Sequence, residues 1–256
     1  MFTRAIVRTP CANFADGLTS VDLGKPDYDL ALEQHEAYCR ALEECGLILT
    51  CLAADERYPD STFVEDTAVL TERGAIITRP GAASRLGEIE NIKSVLLDHY
   101  PRVFEICEPG TLDGGDVCEA GGNFFIGVSH RTNEHGAAQL GAFLSEFGYD
   151  STLIDIRGLS NILHLKSGLA YLGGNRLLVI DGLKKLRQLS DYEPVDVDSA
   201  EAYAANCLAV NERVLVAAGF PRLEQQLQCL GYETVALDMS EFQKMDGGLS
   251  CLSLRF

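Results

Sequence analysis

Among the nine cysteines and five histidines of this 256-residue chain, one of each stands out by its surroundings. Cys251 closes the run Asp246-Gly247-Gly248-Leu249-Ser250-Cys251, where paired glycines let backbone approach a ligand closely. A thiol so placed is a candidate nucleophile. His164, in Leu163-His164-Leu165-Lys166, is a candidate general acid and base, because imidazole changes charge near neutral pH. Glu65-Asp66 lies between Val64 and the apolar run Ala68-Val69-Leu70, and Asp113-Gly114-Gly115-Asp116 opens a second such stretch. Several carboxylates can bind a planar cation such as guanidinium, whose donors form a fork matched to them. The matching chemistry is thiolate attack on the cation's central carbon, protonation of the departing amine by imidazole, and displacement of sulfur by water. Each residue taken alone has an ordinary reading: a cysteine in an apolar strand, Asp and Gly in turns. His35, His99, His130 and His135 lie in or beside predicted helices, where a surface role is the default.

Spacing joins the candidates. Asp66, Asp116, His164, Asn206 and Cys251 are separated by 50, 48, 42 and 45 residues. A period of this size predicts a repeat architecture. Each unit reads as strand, helix, strand, and then a short polar cluster that opens another apolar strand. Apolar residues recur at helical spacing within 29–45, 84–98, 133–147, 183–189 and 222–230. Short runs rich in Val, Ile and Leu flank them and predict strands. Gly46, Gly148 and Gly231 follow helices as C-caps. The alternation gives an α/β class, and five like units predict a fivefold pseudosymmetric α/β-propeller with helices outside. All five clusters would then meet at one end of the ring axis. No Pro-, Gly- or Ser-rich linker interrupts the repeats, so a single domain over residues 1–256 is expected.

Composition narrows the partners. A net charge of −17 argues against nucleic acid and anionic membranes. The N-terminal segment lacks a signal-peptide apolar region, and no run is long enough to span a membrane. The cysteines form no CxxC pair, which fits a reducing cytoplasm. Cys39, Cys45, Cys51 and Cys229 read as small buried hydrophobes. Structural-zinc spacing, GxGxxG, a P-loop and GxSxG are all missing, so neither a metal nor a nucleotide cofactor is expected.

Five motifs resemble one family. Phe63-Val64-Glu65-Asp66, Leu112-Asp113-Gly114-Gly115-Asp116, Leu163-His164-Leu165-Lys166, Ala205-Asn206-Cys207 and Asp246-Gly247-Gly248-Leu249-Ser250-Cys251 look like the dimethylarginine dimethylaminohydrolase family. That family belongs to the guanidine-modifying, pentein-fold superfamily. The resemblance runs from Arg8-Thr9-Pro10 to the end of the chain. It implies hydrolysis of Nω-methylated arginine to citrulline and a methylamine, with a small guanidino amino acid as partner and no cofactor. By resemblance Cys251 is the nucleophile and His164 the proton donor. Asp66 and Asp113 would hold the guanidinium, with Glu65 close by. Asp60 and the backbone of Leu18 would meet the amino-acid end, Arg85 and Arg131 its carboxylate, and Met245 would supply an apolar backbone contact. Some members carry Glu where this chain has Asp113, whose reach is one methylene shorter. Arginine deiminases and amidinotransferases use the same machinery and remain alternatives, although Lys166 departs from the deiminase His-x-Asp pattern. A non-enzymatic pentein such as translation initiation factor six is a third reading. The oligomeric state stays open, a homodimer included.

Overall fold

The same four-step pattern builds each repeat of the computed structural model, which describes residues 1–159 and 162–256. In chain order the elements are β1 (Arg4–Arg8), α1 (Tyr28–Glu44), β2 (Ile48–Leu52), β3 (Ala68–Thr71), β4 (Gly74–Ile77), α2 (Ile89–His99), β5 (Val103–Glu105), β6 (Val117–Ala120), β7 (Asn123–Val128) and α3 (Glu134–Glu146). They continue with β8 (Asp150–Asp155), β9 (Leu169–Gly173), β10 (Arg176–Val179), β11 (Glu193–Asp196), β12 (Leu208–Val210), β13 (Arg213–Ala217), α4 (Pro221–Cys229), β14 (Glu233–Leu237), α5 (Ser240–Gln243) and β15 (Leu254–Arg255).

Among the described residues the strands form five three-stranded sheets: β15-β1-β2, β3-β4-β5, β6-β7-β8, β9-β10-β11 and β12-β13-β14. In every sheet the central strand is antiparallel to one neighbour and parallel to the other. The central strands are almost wholly buried, as their continuous apolar runs require. The polar clusters precede the antiparallel strands as short 3-10 turns: Val64–Thr67, Gly114–Asp116, Leu165–Ser167, Ser199–Ala205 and Ser250–Leu252. A 3-10 turn leaves backbone groups unpaired at its ends, and side chains can claim them.

Contacts divide the chain into two units, Met1–Val64 with Val197–Phe256, and Glu65–Asp196. In the first, α1 buries Ala31, Gln34, His35, Tyr38, Ala41 and Leu42 on one face, at the spacing that 3.6 residues per turn dictates. Asp27 caps it by accepting a hydrogen bond from the Leu30 amide at 3.1 Å. The core gathers Phe14, Tyr38, Phe63 and Phe242 with β1 and β13 residues. In the second, α3 buries Ala137, Leu140 and Leu144 against β7, while Phe104 stacks on Phe143 and Phe147 at 4.6 and 5.2 Å. Gly46, Gly148 and Gly231 end their helices at φ +90, +78 and +92°, the left-handed conformation a C-cap needs.

Several expectations change. The helix expected over 183–189 is a 3-10 turn confined to Arg187–Leu189. Leu183, Leu186 and Leu189 recur every third residue, the 3-10 period, and the amides of Leu186 and Leu189 bond three residues back. The helix expected over 84–98 begins as a 3-10 turn, Ala83–Glu88, and becomes α2 only at Ile89. His35 is not a surface residue: it lies buried in α1, and burial lowers its imidazole to about 4. His99, His130 and His135 are exposed as expected. Cys51 and Cys229 are exposed, and Cys39 and Cys45 half-buried. Cys51 sits on an edge strand, and Cys229 lies two residues past buried Leu227, on the opposite helix face.

Candidate active site

Each unit carries part of the expected set, and the two parts are built differently. In Glu65–Asp196, His164 has extended backbone and stands just before its 3-10 turn. Its Nε2 donates to Asp113 Oδ2 at 3.0 Å. Asp113 Oδ1 accepts from the Gly81 amide at 2.8 Å, and the Asp113 amide donates to Thr132 Oγ1 at 3.1 Å. Asp66 Oδ1 accepts from the Gly115 amide at 2.9 Å. A Cβ at Gly115 would fall 2.8 Å from both Asp66 Oδ1 and His164 Nδ1, so the second glycine of the Asp-Gly-Gly-Asp motif is sterically required.

Asp116 holds the histidine's own turn. Its Oδ1 accepts from the Leu165 amide at 3.0 Å and its Oδ2 from Ser129 Oγ at 2.6 Å. Ser129 Oγ in turn accepts the amides of Arg131 and Thr132 at 2.9 and 3.0 Å. The backbone of the Arg131 loop is thereby tied to the acidic cluster.

The electrostatics follow from burial and proximity. Burial alone would lower His164, but Asp66, Asp116 and Asp113 overcome it and raise the imidazole to about 9. Burial alone would raise Asp66, but His164 and Arg85 hold it down to about 2. Asp116, whose environment is dominated by burial, is pushed up to about 6. His164 is therefore cationic at neutral pH. Asp66, Asp113 and His164 could in principle share a metal, since their ligand atoms lie within 4.8 Å of one another. A metal would have to displace both the imidazole's proton and Arg85 from Asp66, so the cluster suits proton transfer and organic cations better.

The two arginines differ sharply. Arg85 is buried, its Nη1 2.6 Å from Asp66 Oδ2 and its Nε and Nη2 on Glu88 at 2.8–3.1 Å. The guanidinium thus bridges two protein carboxylates, a geometry the sequence expectation of a ligand-carboxylate contact did not include. Arg131 is half-buried, and its Nη1 is buried without a hydrogen-bond partner among the described residues. Such a donor is costly unless something else satisfies it. Glu65 pairs with Lys166 Nζ at 2.7 Å.

The other unit holds Cys251, Leu18, Asp60 and Met245. Asp60 Oδ1 accepts from the Leu18 amide at 3.0 Å. A Cβ at Gly17 would lie 2.5 Å from that oxygen and 3.2 Å from Met245 Cε, so Gly17 lets the loop settle on both. Three expected contacts to the amino-acid end therefore share one place. Thr19 Oγ1 donates to the Lys244 carbonyl at 2.9 Å and the Ser20 amide to Asp246 Oδ2 at 2.6 Å, fastening the same loop. Cys251 is half-buried in its 3-10 turn.

Sequence reasoning left out Glu88, Lys166 as a partner of Glu65, and Ser129. The first had a signal: Arg85 and Glu88 are three apart at a helix start, the spacing of a helical ion pair. The Lys166–Glu65 and Ser129–Asp116 pairs had none, because they join distant segments.

Five sheets of one topology with these clusters define the α/β-propeller, or pentein, class. A 48% identical dimethylarginine dimethylaminohydrolase of Pseudomonas aeruginosa aligns over 100% of both chains. A Streptomyces coelicolor protein of the same description is 36% identical over 98% of this chain and 96% of its own. This chain belongs to the dimethylarginine dimethylaminohydrolase family. The Pseudomonas enzyme, solved as a cysteine-to-serine variant complexed with citrulline, superposes with a TM-score of 0.97 over 100% of both chains at 48% identity. A histidine-to-glycine dimethylarginine dimethylaminohydrolase, solved as an adduct with S-methyl-L-thiocitrulline, gives the same score, identity and coverage. The N-terminal domain of a cyanobacterial arginine dihydrolase, 18% identical with a TM-score of 0.87, shares the fold, and covers 98% of this chain and 97% of its own. No family model matches.

Proposed function

We propose that this protein hydrolyses Nω-methylated arginine to citrulline and methylamine or dimethylamine, its repeats working as one catalytic domain over residues 1–256. The observation that carries the reading is buried His164, whose Nε2 lies 3.0 Å from Asp113 Oδ2, beside Asp66 and Asp116, carboxylates that favour its cationic form. A departing amine needs a proton, and this group has one to give at neutral pH. In this reading Asp66 and Asp113 orient the guanidinium, with Glu65 nearby. The Cys251 thiolate attacks its central carbon, forming a C–S bond. Collapse breaks the C–N bond to the methylated nitrogen, which leaves with the proton of His164. Neutral His164 then takes a proton from water as the water adds to the same carbon. Breaking the C–S bond returns the thiolate and, as the hydroxyl proton passes to solvent, releases citrulline.

Arg131 is assigned the α-carboxylate, because its buried Nη1 has no acceptor among the described residues. Leu18, Asp60 and Met245 are assigned the amino-acid end. For Arg85 the geometry favours holding Asp66 over a direct ligand contact. The Glu65–Lys166 pair supports hydrolase over deiminase, since Lys166 stands where deiminases place a carboxylate. No described helix is long and apolar enough to cross a membrane. The chain is assigned to the cytoplasm, where its nine free thiols would stay reduced, with a homodimer as the assembly to test.

The test measures citrulline from dimethylarginine, monomethylarginine and arginine. Turnover of the methylated substrates above arginine, lost in Cys251→Ser, is expected. Absence of citrulline from all three would overturn the reading, and preference for unmethylated arginine would favour the deiminase alternative.

A further inference from the structure

Three contacts to the run that ends at Cys251 come from one segment. The turn Ser199–Ala205 and the residue after it face the run Gly247–Cys251 with two side chains. Tyr203 Oη donates to the Gly247 carbonyl at 2.9 Å. Burial pushes its phenol up, which keeps it a donor. Asn206 Oδ1 accepts from the Ser250 amide at 2.9 Å. Asn206 Nδ2 lies 4.0 Å from Cys251 Sγ.

The orientation of the Asn206 amide follows from chemistry. The Ser250 amide can only donate, so the carboxamide atom facing it must be the oxygen. The NH2 end is then forced toward the sulfur. Asn206 is itself buried, and a Cβ at Gly248 would lie 2.5 Å from its Cγ and 2.7 Å from its Oδ1. Gly248 is thus needed to let the nucleophile's run close over the carboxamide. The distance of 4.0 Å is long for a thiol acceptor, and a thiolate, with more charge on sulfur, is the stronger acceptor.

We propose that Asn206 is a positioning residue for the nucleophile: Oδ1 fixes the turn at Ser250, and Nδ2 offers a neutral N–H that favours the ionised form of Cys251. This rests on Cys251 being the nucleophile. A neutral donor suits the task, because it adds no further positive charge beside the guanidinium substrate.

The test follows alkylation of Cys251 by iodoacetamide against pH, read at that residue by peptide mass spectrometry because eight other thiols are present. Asn206→Ala removes the donor, Gly248→Ala pushes the carboxamide aside, and Asn206→Asp keeps Oδ1 but places an anion at the sulfur. All three should move the ionisation midpoint of Cys251 upward. Asn206→Asp should move it most, by about one unit or more, the size expected for a like charge in contact. A purely structural Asn206 would lower Tm and leave the midpoint in place. Unchanged midpoints in folded Asn206→Ala and Asn206→Asp would overturn the inference. Should one variant fail to fold, Gly248→Ala decides alone, since it leaves the Asn206 side chain intact but displaced. The readings fail separately. Turnover surviving in Cys251→Ser would remove the nucleophile assignment, while the alkylation midpoints report on Asn206 regardless.

Discussion

The cluster around His164 is made of charges, and the surroundings of Cys251 are made of neutral hydrogen bonds. In Glu65–Asp196, Asp66, Asp113, Asp116, Arg85, Glu88 and His164 are all buried, and most pair with one another. In the other unit, Asn206 and Tyr203 grip the backbone leading to the thiol, and Asp60 and Asp246 accept from the amides of Leu18 and Ser20. The difference teaches a division of work. Recognising a cation and donating a proton require buried charge, which survives only when paired. Holding a sulfur in place requires direction, and carboxamide or phenol hydrogen bonds supply it without adding a net charge. The cluster around His164 should therefore respond strongly to pH and to single charge deletions, and the Tyr203 contact weakly.

The largest effect is expected from Cys251→Ser, which should cut citrulline formation by roughly three orders of magnitude or more with Tm within a degree or two of the parent. Serine keeps the shape but not the nucleophilicity, so a large loss of Tm would mean the thiol also serves the fold. His164→Gln should lose about two to four orders of magnitude in kcat, the usual worth of a placed acid and base. Asp113→Asn removes the carboxylate on Nε2 and should shift the basic limb of the rate profile to lower pH, because His164 then holds its proton less firmly. A profile that does not move would break the assignment of that limb to His164.

Arg85→Ala and Arg131→Ala sharpen the contrast inside the unit that holds His164. Removing Arg85 strands two buried carboxylates and should destabilise by about 3–5 kcal/mol, read as a fall in Tm. Removing Arg131 should cost little Tm but raise KM for substrates bearing an α-carboxylate far more than for small amidines lacking it. Equal losses for both ligand types would assign Arg131 to the fold instead.

Stability against pH tests the same point. His164 is raised on folding from 6.5 to about 9, so its stabilising contribution is full below pH 6.5 and lost as pH rises through about 9. The parent Tm should fall across that window, and His164→Gln should fall less. The smallest effect belongs to the run ahead of Cys251. Tyr203→Phe removes one hydrogen bond to Gly247 and should cost about 1 kcal/mol with no change in the pH dependence of Tm. A changed pH profile in that variant would show that the two units are not so different.

Much of this was legible in the residues. The period places a polar cluster ahead of each antiparallel strand, and helical spacing locates α1, α3 and α4 to within a residue or two at either end. Those features depend on residues within a few positions of one another, which periodicity reads directly. The fourth repeat was misread because a three-residue recurrence of leucine resembles a helix when only apolarity is counted. Cys51 was misread because apolar neighbours do not say which strand becomes an edge.

The sequence by itself determined the repeat, the α/β class and the residue types able to carry the chemistry, because backbone period and side-chain chemistry are local. Only the tertiary structure decided who meets whom. It gave Arg85 to Asp66, 19 residues away, Lys166 to Glu65, and Asn206 to Ser250, 44 residues away. It also decided that His164 is a cation, since that state depends on Asp66, Asp113 and Asp116 lying around one buried ring. Buried charges and carboxamides must find partners wherever the fold offers them, and sequence separation says nothing about which partner that will be.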